Sequence, residues 1–113
     1  SFKLSAENTV KLEGPLEQSE SLLPYFSWSS IKGASSYLLR LASDESISTI
    51  IYTGTANDVF IQYSDSSPPL KNGFKYYWDV VARDANDKLM GDPSEVGSFS
   101  TPKGFIEIQF KFE

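Results

Sequence analysis

The chain contains neither cysteine nor histidine. Without thiols it has no disulfide framework and no thiolate metal site, which leaves the redox compartment open. Without imidazole it lacks both the commonest general base and the commonest metal ligand. Positive charge is sparse as well: ten basic residues against fifteen acidic ones leave a formal charge of -5. The lysines are scattered rather than gathered into a phosphate-tracking stripe, so nucleic acid is not an expected partner. No run approaches the roughly eighteen apolar residues of a membrane span. Ser1 begins without the sections of a signal peptide; an export signal already removed and a piece of a larger protein are equally compatible with that. Nowhere do a dozen residues carry apolar positions at three and four spacing, so helices are not expected either.

What remains is enough for a core. A chain of 113 residues is expected to fold as one domain and to bury about two thirds of the surface its unfolded form exposes. Its apolar content of 40%, with 14% aromatic, can fill that interior. The stretch Leu70 to Ala82 organises the rest: a turn at Asn72-Gly73 opens a run of aromatic and β-branched residues that reads as a central strand.

Seven strands are expected from turn residues and period-two alternation. They cover Thr9 to Leu12, Leu23 to Ser29, Tyr37 to Ala42, Ile47 to Thr53, Val59 to Tyr63, Phe74 to Arg83 and Glu95 to Thr101. The first reads as an edge strand ended by Gly14-Pro15, and Leu16 to Ser21 as a loop crossing between sheets. The second and third, joined across Lys32-Gly33-Ala34-Ser35, are expected to form a hairpin. Trp28, Tyr37, Leu39, Tyr76, Trp78, Val80 and Phe99 fall on the apolar phases of their strands, and two facing sheets would interleave them. After Pro102 the chain alternates again, with Ile106, Ile108, Phe110 and Phe112 on one face, which reads as an extra C-terminal strand over residues 103-113. Pairing of that strand within the domain, near Phe2 and Leu4, is the favoured arrangement; the start of a further module or addition to another molecule are the others.

This pattern resembles a fibronectin type III domain of the kind found in bacterial extracellular proteins. The likeness rests on Phe26-Ser27-Trp28, on Gly33-Ala34 with Tyr37, on Leu70, Gly73 and Tyr76, and on Gly97, Phe99 and Thr101, in the family's order over residues 10-101. Asn72 stands where a proline is common, and Trp78 where an aliphatic residue is. The resemblance implies an all-β, immunoglobulin-like sandwich of two sheets with about seven strands plus the extra C-terminal one. It also implies a tyrosine corner at Tyr76, whose hydroxyl would bond nearby backbone.

Candidate chemistry is thin. The carboxylates Asp44, Glu45, Asp58, Asp65, Asp84, Asp87 and Asp92 lie in turns, where aspartate is favoured for its local backbone bonds, rather than as a pair flanking a cleft. The serines have no histidine to activate them. Asp84, Asn86, Asp87 and Asp92 could supply oxygens to calcium, but their spacing is not that of an EF-hand loop and an acidic hairpin loop accounts for them. No catalytic, cofactor-binding or metal-binding residue is therefore assigned, and no cofactor is expected. The candidate surface is aromatic: Tyr77, Asp79 and Val81 on the outward phase of the sixth strand, beside Leu38 and Arg40 if the third strand pairs with it. A tyrosine flanked by polar groups can stack a sugar ring; covering the sheet or packing on a neighbouring domain is the plainer role. Tyr52 and Tyr63 are further aromatic candidates. The expected function is a non-catalytic module, at the cell surface or outside the cell, with neighbouring domains of the same polypeptide as partners and a protein or glycan as ligand. The alternative is a carbohydrate-binding module using outward aromatics.

Overall fold

The computed structural model describes residues 9–103. They form eight strands and no helix: β1 (Leu12–Gly14), β2 (Glu17–Gln18), β3 (Tyr25–Trp28), β4 (Ser36–Ala42), β5 (Ile50–Ala56), β6 (Phe60–Gln62), β7 (Lys75–Arg83) and β8 (Gly97–Ser100). Two sheets result, one in the order β1-β3-β6 and the other β2-β8-β7-β4-β5. All neighbours are antiparallel except β2, which runs parallel to β8. The extra strand expected over 103–113 lies, apart from Lys103, outside the described residues, as do Phe2 and Leu4.

The core forms where the apolar phases of the two sheets meet. Phe26 and Trp28 come from β3, Tyr37, Leu39 and Leu41 from β4, Tyr76, Trp78, Val80 and Ala82 from β7, and Phe99 from β8, all buried. Phe26 stands edge-on to Trp78, Phe99 and Tyr63, with ring centroids 4.8, 5.8 and 6.3 Å apart. That arrangement suits the quadrupole of each ring, and each large side chain contributes roughly 2–3 kcal/mol through burial. The bulk of Trp78 is accommodated by its cross-strand neighbour Gly97. A Cβ at Gly97 would stand 2.8 Å from Leu12 Cδ1 and 2.9 Å from Leu16 Cδ2, so the ends of those side chains would have to shift to admit it.

The tyrosine corner is present: Tyr76 Oη accepts the backbone N–H of Lys71 at 2.8 Å. Two further buried phenols are satisfied in the same way. Tyr37 Oη accepts the N–H of Ile31 at 2.9 Å, and Tyr63 Oη donates to the carbonyl of Pro68. Apolar rings can thus line the interior while their polar tips stay bonded.

Three expectations need correction. The segment Leu16 to Ser21 is not merely a loop: after the cis Gly14-Pro15 bond the chain leaves the first sheet and adds β2 to the second. The indole N–H of Trp78 donates to the Pro15 carbonyl at 3.2 Å at that crossing. The second and third expected strands are not a hairpin, because β3 pairs with β1 and β6 whereas β4 pairs with β5 and β7. Their apolar faces oppose each other across the core, with the rings of Trp28 and Tyr37 5.8 Å apart, and a hairpin would have put both on one side. The fourth strand starts later than its isoleucines suggest, at Ile50, and runs through Gly54 to Ala56. Ile47 sits instead in the preceding loop with φ 55°.

Candidate functional site

The outer face of the five-stranded sheet is assembled as the alternation implies. β4 pairs with β7 in a register that sets Arg40 opposite Asp79, Leu38 opposite Val81 and Ala42 opposite Tyr77. The five residues singled out from sequence therefore do share one patch. Its chemistry is already spent, however. Arg40 Nε donates to Asp79 Oδ1 at 2.9 Å and Nη2 to Oδ2 at 2.5 Å, a bidentate pair that leaves little hydrogen-bonding capacity for a ligand. Asp79 is 3% exposed and Val81 2%, so neither presents itself to solvent. The hydrogen bond to Asp79 also raises the pKa of Arg40. Tyr77 is half-buried, and Lys75 Nζ lies over one face of its ring, 5.7 Å from the centroid.

The remaining candidates are tied into the scaffold. Tyr63 is buried, and Tyr52 packs edge-on to it with centroids 4.9 Å apart. Desolvation pushes the Tyr63 phenol up to about 12, with the neighbouring phenols of Tyr52 and Tyr76 adding to the shift. In the acidic loop, Asp84 Oδ1 accepts the N–H groups of Asn86 and Lys88 at 2.8 and 3.0 Å, so this carboxylate organises a turn. No group of three or more acidic side chains suited to a metal ion occurs among the described residues.

Asp44 does similar work in the loop before β5. Its carboxylate accepts the hydroxyls of Ser46 and Ser48 and the N–H groups of Ser48 and Thr49. These bonds, the Ser46 hydroxyl foremost, hold its carboxyl well below the usual carboxylate range. They also hold the loop that keeps Ile47 buried; with Ala42 and Val81, Ile47 is buried outside the main core cluster.

One aromatic feature was not singled out from sequence. Tyr25 and Phe60, 52% and 42% exposed, stack on each other on the outer face of the three-stranded sheet, 5.4 Å apart and inclined by 16°. Alternation along β3 does turn Tyr25 outward, but its partnership with Phe60 depends on the β3–β6 register, in which Phe60 lies opposite Ser27. The described residues also border an open groove of about 590 Å³ between the start of β1 and the start of β8, lined by Val10, Leu12, Leu16 and Val96 with Lys11 and Glu95 at its polar margin.

No protein-family model matches the chain, and no curated protein does. Solved structures do. A fibronectin type III-like protein from Clostridium thermocellum aligns over 85% of this chain and 92% of its own, with a TM-score of 0.59 and 20% identity. The fold is fibronectin type III-like. The fibronectin(III)-like modules of Clostridium thermocellum CbhA align over 83% of this chain and 94% of theirs, with a TM-score of 0.50 and 13% identity. The chain is also similar to part of the α-L-rhamnosidase of Streptomyces avermitilis: 82% of this chain aligns with a TM-score of 0.61 and 22% identity, but spans only 10% of that enzyme.

Proposed function

We propose that this fibronectin type III-like chain is a non-catalytic module, spacing or presenting the neighbouring domains of a larger bacterial protein outside the cell or at its surface. The observation that carries this reading is that the polar groups of the candidate patch and loops are consumed within the scaffold: Asp79, Asp44 and Asp84 each bond there. Similar folds occur as modules of CbhA and as a small part of a rhamnosidase, which supports placement in a multidomain protein.

A second reading, glycan binding, is favoured by Tyr25 and Phe60 rather than by Tyr77, because theirs are the exposed rings. Isothermal titration with soluble polysaccharides and a glycan array separates the two. The spacer reading expects silence in both. Saturable binding lost in Tyr25→Ala with an unchanged melting temperature would replace it with the glycan reading, and hydrolysis of chromogenic glycosides would overturn both.

A further inference from the structure

The turn that opens β7 is bonded to the residues that follow β8. Asn72 Nδ2 and the Gly73 N–H both donate to the carbonyl of Pro102, at 3.1 and 2.9 Å. Beside them the Phe74 N–H donates to Thr101 Oγ1 at 3.0 Å, the Thr101 N–H to the Phe74 carbonyl at 2.9 Å, and the Thr101 hydroxyl to the Lys71 carbonyl. Together these bonds clasp residues 71–74 to Thr101 and Pro102. Within the clasp, Asn72 precedes the one residue type with no side chain to shield its main-chain nitrogen. Gly73 has φ 61°, and a Cβ there would meet only Lys103 Cγ, at the ordinary contact distance of 3.7 Å. Asn72 and Gly73 are both exposed, so water and base reach them. Because the side-chain amide of Asn72 and the Gly73 nitrogen bond to one oxygen, the side chain is folded over the turn toward that nitrogen.

We propose that Asn72 is a site of spontaneous deamidation, and that isoaspartate formed there opens the clasp. The Gly73 nitrogen, its proton lost to base, forms a bond to Asn72 Cγ and closes a five-membered ring. The Cγ–Nδ2 bond breaks, and the side-chain nitrogen takes up a proton and leaves as ammonia. Water then opens the resulting succinimide at one of its two carbonyls. Addition at Cγ gives aspartate with the original main chain. Addition at the main-chain carbonyl gives isoaspartate, in which the chain runs through Cγ and is one carbon longer. Either product lacks the Nδ2 donor, sets a carboxylate beside the Pro102 carbonyl and adds one negative charge to the formal -5. The longer chain of isoaspartate also carries Gly73 and Phe74 out of register with Pro102 and Thr101. In the intact turn the Gly73 N–H is committed to Pro102, so attack proceeds when that bond is broken and its rate follows local opening of the clasp.

Incubation of the chain at pH 8, followed by peptide mapping with mass spectrometry, measures conversion at each asparagine. Asn72 is expected to convert about tenfold faster or more than Asn57 and Asn86, which are also exposed but precede Asp58 and Asp87, whose side chains hinder the attacking nitrogen. Asn72→Gln, whose longer side chain would have to close a six-membered ring, should fold and show no conversion at that position. Hydrogen exchange then reads the clasp. In the isoaspartate-containing fraction the amides of Gly73, Phe74 and Thr101 should exchange about tenfold faster or more, as loss of one or two hydrogen bonds requires, while those of Leu39 and Leu41 in the middle of the sheet keep their rates. Conversion no faster at Asn72 than at Asn57 and Asn86, or unchanged exchange at Gly73 and Phe74 once isoaspartate has formed, would overturn the proposal.

Discussion

Arg40 and Asp79 face each other across the seam between β4 and β7, the guanidinium holding both carboxylate oxygens on the outer face of the sheet. The two partners are unequally buried: the Asp79 side chain is 4% exposed and that of Arg40 32%. This asymmetry decides what each loss costs. Arg40→Ala strands a buried carboxylate and is expected to cost about 3 kcal/mol, whereas after Asp79→Ala the guanidinium can turn to water, at about 1 kcal/mol. Urea denaturation of the two variants at pH 7 checks the order; equal costs, or the reverse order, would show that the pair is not held as described.

The tyrosine corner offers a cleaner deletion. Tyr76→Phe keeps the ring and removes only the acceptor of the Lys71 N–H. An expected loss of about 1–2 kcal/mol follows from one part-buried amide left without its partner. Tyr76→Ala should cost considerably more, because its ring contacts with Phe74 and Phe99 go as well. Thermal melts of both variants, compared with the unsubstituted chain, separate the bond from the packing.

Gly97→Ala adds a single methyl group against Leu12 and Leu16, where less than 3 Å is available. Because the clashing atoms are the ends of leucine side chains that can shift, and Leu16 is exposed, the expected cost is about 1 kcal/mol, the low end of the overpacking range. Pairing it with Leu12→Ala should recover part of the loss, and a double variant no more stable than Gly97→Ala would rule out the steric cause.

Stability should bend at both extremes of pH, for opposite reasons. The folded state lowers the pKa of Asp44, so its contribution is present above the ordinary carboxylate range and is lost as pH falls through the depressed value. The gap in melting temperature between the unsubstituted chain and Asp44→Ala should accordingly close as pH falls from 5 toward 2. The folded state raises the pKa of Tyr63 to about 12, so its contribution is complete below the ordinary phenol value and disappears as pH rises through about 12. Tyr63→Phe should flatten the decline in stability across that alkaline window, read by urea midpoints, and an unchanged slope would count against a buried phenol.

Much of the fold was legible because a half-buried strand has period two, and β3, β4, β7 and β8 each keep it. Phe26 and Trp28, Tyr37, Leu39 and Leu41, Tyr76, Trp78 and Val80, and Gly97 with Phe99 all face inward as their spacing requires. Other elements lacked a local signal. β2 is two residues long and exists through its pairing with β8. Ile47 to Thr49 have strand composition, yet the oxygens of Asp44 capture the Ser48 and Thr49 amides and delay β5 to Ile50. The candidate surface divides in the same way. Alternation correctly placed Tyr77, Asp79 and Arg40 on one face but carries no measure of distance, so it could not show that Arg40 and Asp79 consume each other or that Lys75 covers Tyr77.

The sequence by itself determined which residues point inward, since side-chain direction along an extended chain follows from covalent geometry alone. It also ruled out thiol and imidazole chemistry, since those groups are absent. Tertiary structure alone decided which strands share a sheet and that Tyr25 meets Phe60. Those outcomes depend on register and on contacts between residues far apart in the chain, which hydrophobic pattern does not encode.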